Sequence, residues 1–500
     1  MNRNQMIQQL ESRPAWDICI IGGGASGLGA ALDAASRGLK TVLFEEFDFA
    51  KGTSSRSTKL VHGGVRYLQQ GNIRLVMEAL KERGLLLKNA PHLVHNQQFI
   101  VPNYKWWEKP YYGIGLKIYD KMAGKLGLGP SQFLSRDETL ALSPTLDPEG
   151  LKGGVVYHDG QFDDARLAIS LAQTAANHGA VLINYMPVTG LLKKQNRVCG
   201  VWVKDNIGHH AYEVLSKVVI NATGVFTDEI RHMDDPDNEN LVQPSQGIHL
   251  VVDKSFLPGD AAIMIPRTDD GRVLFAVPWH RHIVLGTTDT PVSTPLPEPT
   301  PSEDEITYVL GHIGRYLTKQ PEKKDVKSMF AGLRPLIKGK HKTTAALSRD
   351  HLIDVSSSGL ITITGGKWTT YRKMAEEVID LSVSGSGLEA RPCITKALRL
   401  SGSDQPVMPA EIPVKEEGVL KQYLQRAIRE EMCMTVEDFL ARRTRQLFLD
   451  AKKAIQSAPL VATLMAALLN KDNDWVEGQI HIFNETAKHY LPRPDSQTPN

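Results

Sequence analysis

Cysteine is scarce in this chain. Its 500 residues include four, Cys19, Cys199, Cys393 and Cys433, far apart and with no CxxC pair. That spacing excludes a disulfide scaffold and a cysteine-built zinc site, and it fits a reducing compartment. Charge of one sign is lacking too: 58 Lys and Arg against 56 Asp and Glu leave a formal net charge of +2. A general nucleic-acid binder carries a strong basic excess, and here basic residues do not interleave with aromatics along a single-strand track. No run approaches the roughly 20 apolar residues needed to span a bilayer. The N-terminal stretch MNRNQMIQQLESRPAWD has no apolar h-region, so no secretory signal is expected. The histidine pairs His209–His210 and His280/His282 lack a carboxylate or cysteine at ligand spacing, and no metal is expected.

What is present is an ordinary globular composition, 41% hydrophobic and 23% charged, at a length that predicts two or three domains. The runs WDICII (16–21) and KTVLF (40–44) read as buried strands. Between them, GGGASGLGAALDAASRG passes from a glycine loop into an alanine-rich helix, which makes a βαβ unit and implies a parallel sheet. A further helix (165–178) and the strand KVVINATG (217–224) extend the pattern. From about 241 to 344, short alternating strands with Pro and Gly turns predict an antiparallel sheet. The run LITITGG (360–366) looks like a return to the first sheet. Helical spacing in EDFLARRTRQLFLDAKKAI and LVATLMAALL predicts a helical C-terminal domain, and the tail LPRPDSQTPN reads as disordered.

Gly22-x-Gly24-x-x-Gly27 follows a strand and opens a helix, the arrangement that cradles a dinucleotide pyrophosphate. The first glycine permits the turn, the second admits the phosphate and the third lets helix and strand pack closely. Glu45 closes the second strand, where a carboxylate accepts from a ribose hydroxyl and disfavours a 2′-phosphate. NAD and FAD both remain open on these residues alone.

The segment EEFDFAKGTSSRSTKLVHGGVRYL (45–68) resembles the flavin contact segment of FAD-dependent, quinone-reducing glycerol-3-phosphate dehydrogenases. The resemblance continues through VINATGVFTD (219–228), QGIHLVVD (246–253), VLFAVPWHRHIVLGTTDTP (273–291), AGLRPLI (331–337), SRDH (348–351) and GGKWTTYRKMAE (365–376). It closes with REEMCMTVEDFLARRTRQLFLDA (429–451), similar to the family's helical cap. The chain departs from the family where Val225 and Phe226 replace a Pro-Trp pair, which bears on the contact over the flavin. The resemblance implies an α/β plus α+β fold. A glutathione-reductase-like FAD-binding domain with a parallel sheet would comprise 15–95, 159–240 and 345–385. An inserted antiparallel-sheet substrate domain would take 96–158 and 241–344, and a C-terminal helical cap 400–490.

It implies FAD as cofactor, with Gly22, Gly24, Gly27 and Glu45 on the ADP half. Thr53, Ser54, Lys59, Leu60 and His62 would contact the pyrophosphate and isoalloxazine, the alternative for Thr53–Ser57 alone being an ordinary helix cap. Ala222 and Gly224 would pass close to the dinucleotide, and Gly366, Lys367 and Trp368 would lie at the pyrimidine edge. The implied reaction oxidises sn-glycerol 3-phosphate to dihydroxyacetone phosphate, a dianion that needs permanent cations. Arg66, Tyr67, His249, Arg334, Arg349 and Lys367 are carried over as the substrate pocket, with His249, Arg334 and Lys367 as catalytic groups. His249 is the expected base because its ordinary pKa lies near working pH. His62 is the rival, and Arg334 could instead stabilise an alkoxide.

The family passes electrons to membrane quinone and forms homodimers. Trp106, Trp107, Tyr111 and Tyr112 among Lys105, Lys109, Lys117, Lys121 and Lys125 suit a headgroup boundary, or equally a core helix with a solvated face. The Lys-rich stretch 319–342 could add attraction to lipid or to an anionic substrate. The expectation is a cytoplasmic protein lying peripherally on the inner face of the cell membrane. An oxidase using oxygen, an amine oxidase of the same fold and a non-catalytic flavin-binding module stand as alternatives.

Overall fold

The computed structural model describes residues 1–64, 72–266, 268–338, 351–403, 408–411 and 416–493. Two sheets and a helical bundle organise them. Trp16–Ile21 and Thr41–Phe44 are buried along their length, as strands covered on both faces must be. The sheet built on them runs His351–Val355, Ile361–Gly365, Ala211–Asn221, Trp16–Ile21, Thr41–Phe44, Val181–Ile183. Along this order every pairing from Ile361–Gly365 to Val181–Ile183 is parallel; the edge strand His351–Val355 pairs antiparallel, and so does Arg197–Lys204, which joins the first residues of Ala211–Asn221 and carries Val188–Lys194. Residues 360–366 thus rejoin the first sheet although the second is inserted before them. Helices Ala25–Ser36, Asp164–Asn177 and Tyr371–Ser386 share its core.

The second sheet has ten strands among the described residues. Val94–Asn103 pairs with Gly153–Phe162 over their full lengths, and Val242–Asp253 pairs with Ser328–Ile337. These two halves, distant in sequence, are joined by Ala262–Ile265, which lies parallel to Val94–Asn103. The alternating pattern predicted antiparallel strands throughout. The parallel pair arises because Ala262–Ile265 borders a strand contributed from the earlier segment, and it cannot be read from local alternation. The two-residue strand Leu60–Val61 also belongs here, paired with Gly153–Phe162.

The cap comprises helices Glu417–Glu431, Gln446–Leu449, Ala451–Leu469 and Asn473–Lys488, with a wide turn of helix at Asp438–Arg443. Its apolar core reaches Val251, Trp279, Val284 and Phe330 of the second sheet. Among the described residues, no helix is long and apolar enough to cross a membrane. The C-terminal tail from residue 494 lies outside the described residues.

Candidate active site

The nucleotide cleft starts from three glycines, and each answers to a distinct steric demand. Gly22 adopts φ +107, and a Cβ there would lie 2.7 Å from the Ala222 carbonyl oxygen. A Cβ on Gly27 would collide with the Gly22 carbonyl oxygen, so the third glycine lets the helix seat against the loop. Gly24 is the N-cap of Ala25–Ser36 and has no side chain to satisfy the helix's first N–H groups. Ser54 does so from a distant segment: its hydroxyl accepts from the Ala25 N–H at 2.9 Å. Thr53–Ser57 do not cap their own short turn, Thr53–Ser55, whose N-cap is Gly52; Ser54 instead caps the distant helix Ala25–Ser36.

Gly22, Gly24 and Ser54 line a cavity of about 240 Å³ together with Glu45, Thr53, Ala222, Val225 and Phe226. Gly224, at φ +63, lines it too, and a Cβ there would meet nothing within 4 Å. The Glu45 carboxylate accepts from the Gly23 N–H at 2.6 Å and the Phe47 N–H at 2.9 Å. Burial pushes its pKa up to about 7, against those hydrogen bonds and with help from Asp48 and Glu46. A glycine cradle, a helix N-terminus and a carboxylate at the end of the second strand fit the pyrophosphate and a ribose of a dinucleotide.

Gly366, Lys367 and Trp368 close the far end of this cavity and also line the next, of about 210 Å³. Trp368 is fixed there by donating its indole N–H to the Ser54 carbonyl at 2.9 Å. His249 and Arg334 face this second cavity. A third, of about 180 Å³, adjoins it through Thr58, Leu60, His62 and Arg334. Arg334 stands on Ser328–Ile337, where Gly247 on the neighbouring strand leaves room for the guanidinium. Its Nη2 donates to Thr287 Oγ1 at 3.2 Å, and the Asp289 carboxylate lies 3.6 Å from Nη1. His249 is buried, stacks on Phe330 with ring centres 4.8 Å apart, and shares a 2.9 Å hydrogen bond from Nε2 with Thr58 Oγ1. Burial, with Arg334 and Lys59 nearby, holds the imidazole well below its usual range, so the ring is neutral.

Of the residues expected from sequence, Gly22, Gly24, Glu45, Thr53, Ser54, Ala222, Gly224, Gly366, Lys367 and Trp368 meet at the first cavity. Leu60, His62, His249 and Arg334 meet at the second. Gly27 acts in packing. The Lys59 side chain faces none of the three: it is buried, with Nζ 2.8 and 2.9 Å from the two Asp164 oxygens and above the rings of Trp279, Phe330 and Phe448. Its ion pair holds the loop from beneath. Arg66, Tyr67 and Arg349 lie outside the described residues. Thr58, Asp159, Arg272, Thr287 and Asp289 line the third cavity without having been anticipated. Thr58 stood inside a matched segment, and Arg272 stands one residue before another.

The family model of the FAD dependent oxidoreductases matches residues 17–372. The chain belongs to that family. A second model, the C-terminal domain of alpha-glycerophosphate oxidase, matches residues 408–475. Within this flavoprotein family the chain stands with the glycerol-3-phosphate dehydrogenases. It is 39% identical to the mitochondrial glycerol-3-phosphate dehydrogenase of Homo sapiens over 98% of this chain and 75% of that one. With the mitochondrial enzyme of Arabidopsis thaliana it shares 37% identity over 95% of this chain and 86% of the relative. The glycerol-3-phosphate dehydrogenase of Bacillus halodurans, solved in complex with FAD, superposes with a TM-score of 0.79 at 30% identity over 99% of both chains. The cofactor is FAD, in keeping with the cleft.

Proposed function

We propose that this flavoprotein oxidises sn-glycerol 3-phosphate to dihydroxyacetone phosphate and passes the electrons to membrane quinone. The observation that carries this reading is the meeting of Arg334, Lys367 and His249 around one cavity that opens off the nucleotide cleft. A phosphorylated substrate needs cations that stay charged, and the Arg334 fork, braced by Thr287 and Asp289, supplies one. Lys367 adds a second cation where the first two cavities meet. Neutral His249 serves as the proton acceptor for the C2 hydroxyl. Bound FAD would supply the oxidising chemistry, as the acceptor of a hydride from C2. Gly22, Gly24, Glu45, Thr53, Ser54, Ala222 and Gly224 would hold its dinucleotide portion, and Gly366, Lys367 and Trp368 its ring edge.

Support for a membrane acceptor comes from helix Glu108–Ala123 and the residues leading into it. Trp106, Tyr111, Ile114 and Ile118 are 83, 54, 60 and 49% exposed, while Tyr112, Leu116 and Tyr119 are buried. Lys105, Lys117 and Lys121 are exposed beside them. Apolar and aromatic side chains ringed by lysines suit an anionic headgroup layer. The homodimer implied by the resemblance belongs to the same reading and is checked by light scattering.

The deciding experiment mixes the purified holoprotein anaerobically with sn-glycerol 3-phosphate, and separately with glycerol, while its flavin absorbance is followed. Bleaching by the phosphorylated compound alone is expected, then fast reoxidation by a soluble quinone and slow reoxidation by air. Fast reoxidation by air would make the protein an oxidase. A flavin that never bleaches would overturn the substrate assignment.

A further inference from the structure

Four residues line both the second and the third cavity: Thr58, Leu60, His62 and Arg334. A substrate held by the Arg334 guanidinium at this junction therefore lies alongside Thr58. The Thr58 hydroxyl shares a hydrogen bond with His249, 2.9 Å from Nε2. His249 itself lines only the second cavity and is 2% exposed, pressed against Phe330 on one side. Gly286 on the neighbouring strand leaves room for the ring, since a Cβ there would lie 2.7 Å from its Cδ2. The other ring nitrogen, Nδ1, is buried and has no hydrogen-bond partner among the described residues. Proton traffic at this imidazole accordingly runs through Nε2, and Thr58 Oγ1 is what Nε2 touches.

We infer that Thr58 is a catalytic residue: its hydroxyl relays the proton of the substrate's C2 alcohol to His249. This rests on the reading given under Proposed function. In the forward direction the C2 O–H bond breaks and its proton goes to Thr58 Oγ1. The Thr58 O–H proton passes in the same motion to His249 Nε2, leaving Thr58 neutral and His249 as imidazolium. The electron pair of the C2–H bond leaves as hydride to the oxidant already named, and C2 becomes a carbonyl carbon. Once product departs, the imidazolium returns its proton through Thr58 to water entering the cavity. The relay requires the tautomer in which Nδ1 carries the resting proton and Thr58 donates to Nε2. A hydroxyl suits this task because it can give one proton while taking another, so the buried ring acts without itself reaching the substrate.

The test compares wild type with Thr58→Val, which keeps the shape and removes the hydroxyl, and Thr58→Ser, which restores it. Anaerobic stopped-flow at varied sn-glycerol 3-phosphate separates the substrate dissociation constant from the limiting rate of flavin reduction. FAD content is measured on the same samples. Thr58→Val is expected to reduce at least about 100-fold more slowly, the scale of lost acid–base catalysis. Its FAD content should match wild type and its dissociation constant should stay within about threefold, while Thr58→Ser recovers most of the rate. Wild-type reduction rates in Thr58→Val would overturn the relay. So would a Thr58→Ser variant as slow as Thr58→Val, which would assign the effect to packing, or loss of FAD from Thr58→Val, which would make Thr58 a cofactor contact. If wild type itself fails to bleach, the substrate assignment is what fails.

Discussion

Glu45 shows how one side chain can tie cofactor affinity to pH. Its carboxyl is buried beside Asp48 and Glu46, and its pKa stands at about 7 against an ordinary 4.5. A raised acid binds more protons folded than unfolded across that interval. Its contribution to stability is thus present below about 4.5 and lost as pH rises through about 7. If Glu45 takes the ribose hydroxyls of FAD as proposed, they would donate to the ionised form, so FAD should favour the carboxylate and release a proton on binding near neutrality. Titration of apoprotein with FAD should show affinity falling below pH 7, by at most about tenfold per unit. Glu45→Gln should bind more weakly at pH 8 and lose the slope. A slope that survives the substitution would move the titrating group elsewhere.

At the scale of elements, the strand–loop–helix unit is where local sequence speaks most directly. A strand buried on both faces has to be an apolar run, and WDICII is one. A loop that must pass 2.7 Å from a carbonyl, had it a Cβ, has to be glycine, and Gly22 is. Gly22→Ala should therefore combine left-handed strain with overpacking against Ala222, costing about 1–3 kcal/mol. FAD should be lost before the fold is, so flavin content and far-UV circular dichroism on one sample separate the two effects. A variant that keeps a full complement of FAD would contradict this account of the turn. The second sheet was less legible, because its order is set by partners far apart in sequence. Leu60–Val61 is too short for any periodicity, and Ala262–Ile265 takes its parallel neighbour from residue 94 onward. The same limit hid Asp159 and Arg272. Each is an ordinary charged residue locally, and Asp159, on the strand Gly153–Phe162, is placed by accepting from Arg83 at 2.8 Å and Tyr119 at 2.9 Å, which come from the helices Ile73–Asn89 and Glu108–Ala123.

At the scale of the whole molecule, the surface and the buried charges carry separate consequences. The exposed aromatic and aliphatic stripe around helix Glu108–Ala123 predicts that the protein sediments with anionic vesicles at low salt, less so at high salt. Equal recovery in the supernatant with and without vesicles would remove the membrane from the reading. Helical spacing announced the cap, but nothing local announced what fastens it. Arg442 and Arg443 look in sequence like solvated surface residues, yet both are buried and converge on Asp48, three residues beyond Glu45. Arg442 Nε lies 2.6 Å from Asp48 Oδ2, and Arg443 spans both Asp48 oxygens at 2.7 Å. Glu437 continues the chain of charge to Lys51, which lines the nucleotide cavity. Burial alone would raise the Asp48 pKa, but Arg443 and Arg442 hold it below the usual carboxylate range. That depressed value contributes stability above the ordinary carboxyl pKa, lost only as acid protonates the folded state. Asp48→Asn keeps the shape and removes the charge, leaving two buried guanidinium groups short of an anion. Removing one partner from such a cluster costs about 3–5 kcal/mol, far more than the pair contributes relative to an apolar replacement. Because the cluster joins the cap to the loop after Glu45, whose neighbours Phe47 and Lys51 line the nucleotide cavity, the loss should appear as earlier thermal unfolding and as faster flavin release at a temperature where the helices persist. If Asp48→Asn unfolds and releases flavin as wild type does, the cap is fastened by its apolar contacts with Trp279 and Phe330 instead.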